Sequence, residues 1–307
     1  MLRQFAHWLS GVAIHWFYSD VRAVGADRIP LTGPVLIAMN HQNALVDALL
    51  ALWVVPRQLR ITARATLGDS LPGALLMKSV GIIPLSRTSD NPDSPDPIRN
   101  RHSFQAIIEE LRDGGAVLVF PEGKSHNDPE IAPLKTGLAR AALRARDAGV
   151  TNISIVPIGV TFANKAEPGT AVLATVGEPI AMDTWEGDDA RDLTQAITER
   201  LRAIALLGDV APGEPQPESE RNAFVRLLAL WGRITHEIPL RIARREAVRR
   251  SFDPGEPAMY TMTFGLAAVL TSYVIEVAIV WALAGWIIAL LLLVSLVGGA
   301  YCAAYVH

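Results

Sequence analysis

The sequence predicts an α/β protein with a mostly parallel central sheet flanked by helices, an N-terminal interfacial helix and a C-terminal helical membrane hairpin. Three observations predict it. From Val21 to about Leu207, short apolar runs rich in β-branched residues alternate with helical stretches. Residues 1–19 carry one apolar face at spacings of three and four. Met262–Val306, 45 residues, holds no Lys or Arg and one acid, Glu276.

In chain order, Leu2, Phe5, Leu9, Val12, Trp16 and Phe17 define the first helix. His7, Trp8, His15 and Tyr18 add amphipathic rings that favour a membrane interface over packing on a core. The strands are expected at Val35–Met39, Leu59–Ala63, Ala116–Phe120, Ile153–Val160 and Val172–Val176. Helices are expected at Ala44–Trp53, Ser70–Val80, His102–Arg112, Lys135–Ala148 and Ala190–Leu206. Pro157 lies inside an apolar run and is expected at a sheet edge or strand end. Residues 20–207 thus form one domain.

Residues 208–221 hold Pro212, Pro215 and Pro217 among acids and read as a linker. Residues 222–250 form a basic helical segment, broken at Pro239 and ending in Arg241, Arg244, Arg245, Arg249 and Arg250. Residues 262–306 fit two spans of about 20 residues, crossing or re-entering the bilayer and hinged near Ala284-Gly285. The arginines ahead of them put that side on the cytoplasmic face. Half of the chain is apolar and 19% is charged, and the excess hydrophobicity sits in this hairpin. A net charge of −3 gives no drive toward nucleic acid. The single cysteine, Cys302, excludes an intramolecular disulfide and a cysteine metal site. Arg22 follows with no small-residue cleavage site, so no removable signal peptide is read.

The chemistry-bearing residues gather at strand ends. Asn40-His41 closes the first long strand, and Asp47 lies in the helix that follows. A carboxylate that accepts from one ring nitrogen leaves the other free to take a proton from a hydroxyl. Gly81–Arg87 ends an apolar run in an arginine. Phe120-Pro121-Glu122-Gly123-Lys124-Ser125 follows a strand, at the edge where open α/β sheets place their crevice. Lys135-Thr136-Gly137 opens a helix whose amides can face a phosphate. No His, Cys, Asp or Glu set has zinc-ligand spacing, and no serine stands in a nucleophile elbow.

Asn40-His41 with Asp47, then Gly81–Arg87, Phe120–Ser125 and Val156-Pro157-Ile158-Gly159, resemble the four ordered blocks of the glycerolipid acyltransferases. The runs Ser125–Asp128, Pro133–Gly137 and Val176–Ile180 resemble one branch of that family, and the likeness covers residues 20–205. It implies transfer of a fatty acyl group from acyl-CoA or acyl-carrier protein to a hydroxyl of glycerol-3-phosphate or lysophosphatidic acid. His41 would be the general base and Asp47 its orienting partner. Arg87 would bind the acceptor phosphate, Glu122 and Gly123 would shape the acceptor site, and Pro157 would support the pocket wall. Lys135 is a candidate second phosphate contact. Asn40, Ser125 and His126 are candidates to support the pocket. No metal or other cofactor is implied. The partners are membrane lipid and the acyl donor, on the cytoplasmic face of a bacterial inner membrane.

Five residues separate His41 from Asp47, one more than the family's commonest pattern. An added residue turns a helical side chain by about 100°, so the pair requires a corner that absorbs it. The alternatives are a lysophospholipid or amino-lipid acyltransferase and an inactive membrane-binding scaffold of the same fold.

Overall fold

The structure, a computed structural model, describes residues 2–65, 81–85, 97–126, 128, 130–205, 223–250 and 257–305. The expected helix Ser70–Val80, the linker 208–221, and Ser86 and Arg87 lie outside the described residues.

Among the described residues, eight strands form one sheet: β1 (Asp20–Val24), β2 (Val35–Met39), β3 (Leu59–Arg64), β4 (Ile83–Leu85), β5 (Ala116–Val119), β6 (Ser154–Phe162), β7 (Ala171–Val176) and β8 (Ile180–Ala181). Their order is β1-β7-β6-β2-β5-β3-β4, with β8 beside β6. The β2–β5, β2–β6, β3–β5, β3–β4 and β1–β7 pairs are parallel, while β6 pairs antiparallel with β7 and β8. β2 lies between β5 and β6, and all five of its residues are buried. That is why it reads as an unbroken apolar run. Its side chains alternate: Leu36 and Ala38 enter one core cluster, Val35, Ile37 and Met39 the other.

Helices cover both faces. α1 (Leu2–Phe17) and α2 (Ala44–Val54) pack on one through Ile14, Phe17, Val46, Leu50 and Val54. α3 (Pro97–Arg112), α4 (Gly137–Asp147) and α5 (Ala190–Ile204) cover the other through Ile107, Leu111, Leu138, Ala142, Leu193 and Ile197. α1 is therefore docked on the core at its C-terminal end, while Trp8 and Leu9 stay exposed.

Three long helices follow: α6 (Ala223–Arg250), α7 (Pro257–Ala284) and α8 (Trp286–Tyr305). Gly285 at φ +87° makes the turn between α7 and α8, and its N–H donates to the Trp281 carbonyl at 3.0 Å. Ala258–Ala284 and Trp286–Ala304 are long and apolar enough to cross a membrane, with mean hydropathies of 2.1 and 2.4. The rest of the chain leaves both largely uncovered, unlike a soluble core helix, and the protein is membrane-associated.

Two expectations change here. α6 does not break at Pro239 but runs through it. Ala229, Gly232, His236, Pro239, Ala243 and Ala247 form one buried stripe of mostly small residues, facing the hairpin. A methyl on Gly232 would lie 2.0 Å from the Gly299 carbonyl oxygen, so α6 and α8 touch backbone to backbone. That packing holds the helix across the missing amide. Pro157, expected at an edge, sits inside the sheet, opposite Ala38 of β2. On its other side the ladder changes partner, since Ile155 pairs with Ile180 of β8 and Ile158 with Val176 of β7. Its missing donor falls near that change of partner, and its carbonyl accepts the Gly177 amide at 2.9 Å.

Candidate active site

β2 and β5 run parallel side by side, so their C-terminal ends deliver Asn40-His41 and Phe120–Gly123 to the same sheet edge. Asn40 extends the sheet with its side chain: Nδ2 donates to the Val160 carbonyl at 2.9 Å, and Oδ1 accepts the Val160 amide at 2.7 Å. Both bonds are buried, and they fix the point where the chain leaves β2.

The extra residue before Asp47 is absorbed at the corner. Asn43 caps α2 at φ −139°, and Ala44 takes φ +40°, a region costing a non-glycine residue roughly 1–3 kcal/mol. His41 Nδ1 then lies 2.9 Å from Asp47 Oδ2. The same oxygen accepts the Asn43 amide at 2.7 Å, so Asp47 ties the start of its own helix. An ionised carboxylate only accepts, so Nδ1 carries the proton and Nε2 keeps its lone pair. The His41 ring stacks on Phe120, centroids 4.0 Å apart at 15°.

Glu122 holds the other side of the corner. Its Oε1 accepts the His41 amide at 2.6 Å, and its Oε2 accepts the Ala132 amide at 2.7 Å and pairs with His126 Nε2. The His126 amide in turn donates to the His41 carbonyl at 3.2 Å. The Glu122 side chain is wholly buried. Glu122, expected to shape the acceptor site, has both oxygens engaged in clamping the His41 backbone to the loop after β5.

A third layer lies behind the pair. Asn43 Nδ2 donates to the Tyr18 hydroxyl at 2.8 Å, and that hydroxyl donates to the Lys165 carbonyl at 2.9 Å. Lys165 Nζ reaches the Gln42 and His126 carbonyls at 2.9 and 3.0 Å. Burial first, then the negative charge of Asp47, push the Tyr18 phenol well above its usual value. Sequence reasoning missed Asn43, Tyr18 and Lys165. Their sole signal is position, within three residues of a corner or strand end, and that does not distinguish them from ordinary core groups.

Beyond Phe120 lies a cavity of about 260 Å³. Leu85, Phe104, Ile107 and Leu138 make it apolar, while Gly123, Lys135 and Arg140 line it with polar character. Gly123 sits at φ +80°, and a methyl there would lie 3.2 Å from Lys135 Cε, so the bare backbone gives the lysine stem its path. The Lys135 amide donates to the Pro121 carbonyl at 2.8 Å. Gly123 and Lys135 thus meet at the cavity, and Arg140 is a cation sequence reading passed over. Ser125 is half-buried on the loop between Glu122 and His126. Pro157, expected in the pocket wall, packs instead against Gly177 in the sheet.

Residues 20–161 match the model of the family described as Acyltransferase. Glycerol-3-phosphate O-acyltransferase 2 of Saccharomyces cerevisiae is 30% identical over 121 residues, 39% of this chain and 16% of the yeast protein. Over residues 20–161 the chain is similar to the glycerolipid acyltransferases. The lyso-ornithine lipid O-acyltransferase of Brucella abortus is 29% identical over 131 residues, 41% of this chain and 46% of that protein. Among solved structures, the 1-acyl-sn-glycerophosphate (LPA) acyltransferase PlsC of Thermotoga maritima has the same fold. It aligns with a TM-score of 0.52 at 19% identity, over 66% of this chain and 77% of that one. The match to each of these two relatives spans less than half of the relative's length.

Proposed function

We propose that this membrane acyltransferase moves a fatty acyl group from acyl-CoA or acyl-carrier protein to a hydroxyl of glycerol-3-phosphate or lysophosphatidic acid, in phospholipid biosynthesis. The observation that carries the reading is the 2.9 Å His41–Asp47 contact, at a sheet edge beside a cavity lined by Lys135 and Arg140. His41 Nε2 takes the acceptor's hydroxyl proton as its oxygen attacks the thioester carbon. The imidazolium that forms is stabilised by Asp47. As the tetrahedral intermediate collapses, the C–S bond breaks, and the departing thiolate recovers the proton from His41. The products are the ester and a free thiol, and the balance needs no redox partner, metal or other cofactor.

Lys135 and Arg140 are proposed to neutralise phosphate oxygens at the cavity, with Arg87 as a further contact. The apolar walls suit hydrocarbon. Glu122, His126 and Asn40 are positioning residues that hold the His41 backbone. The five arginines at the end of α6 support a cytoplasmic site, on a bacterial inner membrane.

One observation favours a second reading. The likeness to the lyso-ornithine lipid enzyme is close in identity to the yeast one, so an amino-lipid acceptor is the alternative. The bonded His41–Asp47 pair speaks against an inactive scaffold. Purified full-length protein offered one acyl-CoA with glycerol-3-phosphate, lysophosphatidic acid or lyso-ornithine lipid tests both readings. Turnover on a phosphate-bearing acceptor is expected; turnover on lyso-ornithine lipid alone selects the second reading.

A further inference from the structure

A second cavity, about 230 Å³, lies between α1, α6, α7 and α8. It is on the α1–α2 side of the sheet, whereas the cavity beside Phe120 is on the α3–α4 side. Val12, Leu240, Met262, Gly265, Val269 and Val297 give it an apolar lining. The polar atoms of its aromatic walls are engaged inside the bundle. Trp16 Nε1 donates to the Ala300 carbonyl at 2.9 Å, the Tyr273 hydroxyl donates to His236 Nε2 at 2.6 Å, and His236 Nδ1 donates to the Gly232 carbonyl at 2.7 Å. A cleft with such walls takes hydrocarbon, not water or a polar metabolite.

Its direction is set by α6 against α7. His236 meets Tyr273, Leu240 meets Gly265, and Arg244 follows one turn later beside Thr261 and Met262. Arg244 therefore stands at the mouth, where α7 begins its apolar run. No carboxylate among the described residues lies within ion-pair distance of it, while Arg241, Arg249 and Arg250 are paired to Glu237 or Glu246. From Thr261 to Tyr273 the cleft follows α7 for about 18 Å, close to one leaflet of a hydrocarbon core about 30 Å thick. α6 also shows lipid-side character on its outer face, where Phe224, Leu227, Trp231, Ile234, Ile238 and Ile242 are exposed at spacings of three and four.

We propose that this cleft holds one acyl chain of an anionic bilayer phospholipid, with Arg244 at its phosphate. The lipid cements the hairpin to the catalytic domain and is not a substrate. The inference is independent of which acceptor the enzyme acylates.

The test uses full-length protein in nanodiscs of equal phosphatidylglycerol and phosphatidylcholine, released into native mass spectrometry. Wild type is expected to retain one phosphatidylglycerol. Gly265→Leu fills the cleft, and retention should fall by about tenfold, the factor that 1.4 kcal/mol produces. Arg244→Gln changes an exposed side chain that the fold does not need. It should keep a lipid but lose the phosphatidylglycerol preference by about fivefold, the factor for ~1 kcal/mol per basic residue at an anionic surface. Equal lipid retention by wild type and Gly265→Leu overturns the proposal. So does unchanged headgroup preference in Arg244→Gln. A raised KM for lysophosphatidic acid in Gly265→Leu, with lipid retention intact, would instead make the cleft an acceptor site and overturn it too.

Discussion

His41–Asp47 and His126–Glu122 are two imidazole–carboxylate pairs in adjoining loops, and they do different work. His126 and Glu122 are both buried, and every oxygen of Glu122 serves a backbone amide or the ring. Asp47 is equally buried, but its histidine side chain keeps 13% of its surface open, against 7% for His126. The His41 ring stacks on Phe120, which lines the cavity, while His126 ties a loop. A pair of this kind becomes a base through access, not through the contact itself, since the second ring nitrogen of His126 also lacks a hydrogen-bond partner but is buried. The carboxylate of the closed pair also carries the backbone of the open one.

The sharpest way to break this distinction is His41→Ala. Transfer is expected to fall by roughly 10²–10⁴-fold with the protein still folded, the usual worth of a general base. Near-full turnover, measured as ester formed per enzyme, would remove the mechanism. Asp47→Asn should fall within the same range, because an amide no longer fixes the tautomer. An unaffected Asp47→Asn would mean the 2.9 Å contact plays no part in turnover.

Glu122→Gln probes the closed pair. Glutamine has one acceptor oxygen for the two backbone amides of His41 and Ala132, and leaving a buried donor unsatisfied costs about 1–3 kcal/mol, so thermal stability should drop visibly and kcat with it as the His41 backbone loosens. Reduced kcat at unchanged stability would make Glu122 a participant in the reaction after all.

Lys135→Ala and Arg140→Ala test the cavity's charge. A charge-assisted contact worth about 1.5–3 kcal/mol that acts in ground and transition states alike raises the acceptor's KM at constant kcat. Equal effects on acceptor and acyl donor would assign these cations to the donor.

Tyr18→Phe is the smallest change. It removes a buried hydroxyl bond of about 0.5–1.5 kcal/mol. The folded phenol holds its proton above the usual value of about 10, so the unfolded chain ionises first as pH rises. Stability is thus retained below about pH 10 and lost above it, and Tyr18→Phe should flatten that alkaline loss in a denaturation series. An unchanged alkaline slope would show that the buried Tyr18 phenol does not hold its proton above the usual value.

The sequence by itself determined the layers of this protein. Fully buried strands such as β2 and β5 must be apolar on both faces, and spans such as α7 and α8 must be apolar throughout, so composition and period reveal both. The hinge was legible for the same kind of reason, since Gly285 adopts the positive φ that glycine best tolerates. β4 and β8 were not, because three residues containing Pro84 and two residues beside Pro179 hold too little pattern. β1 escaped because an edge strand keeps Asp20 and Arg22. His41 and Asp47 were visible as residue types, but whether they meet depended on Ala44 turning to φ +40°. Tertiary structure alone decided the rest. Glu122 clamps the corner, Asn43 and Tyr18 back Asp47, and α6 continues through Pro239, because each depends on residues far apart in the chain. Local pattern records which face a residue needs, and only packing chooses the partner it meets there.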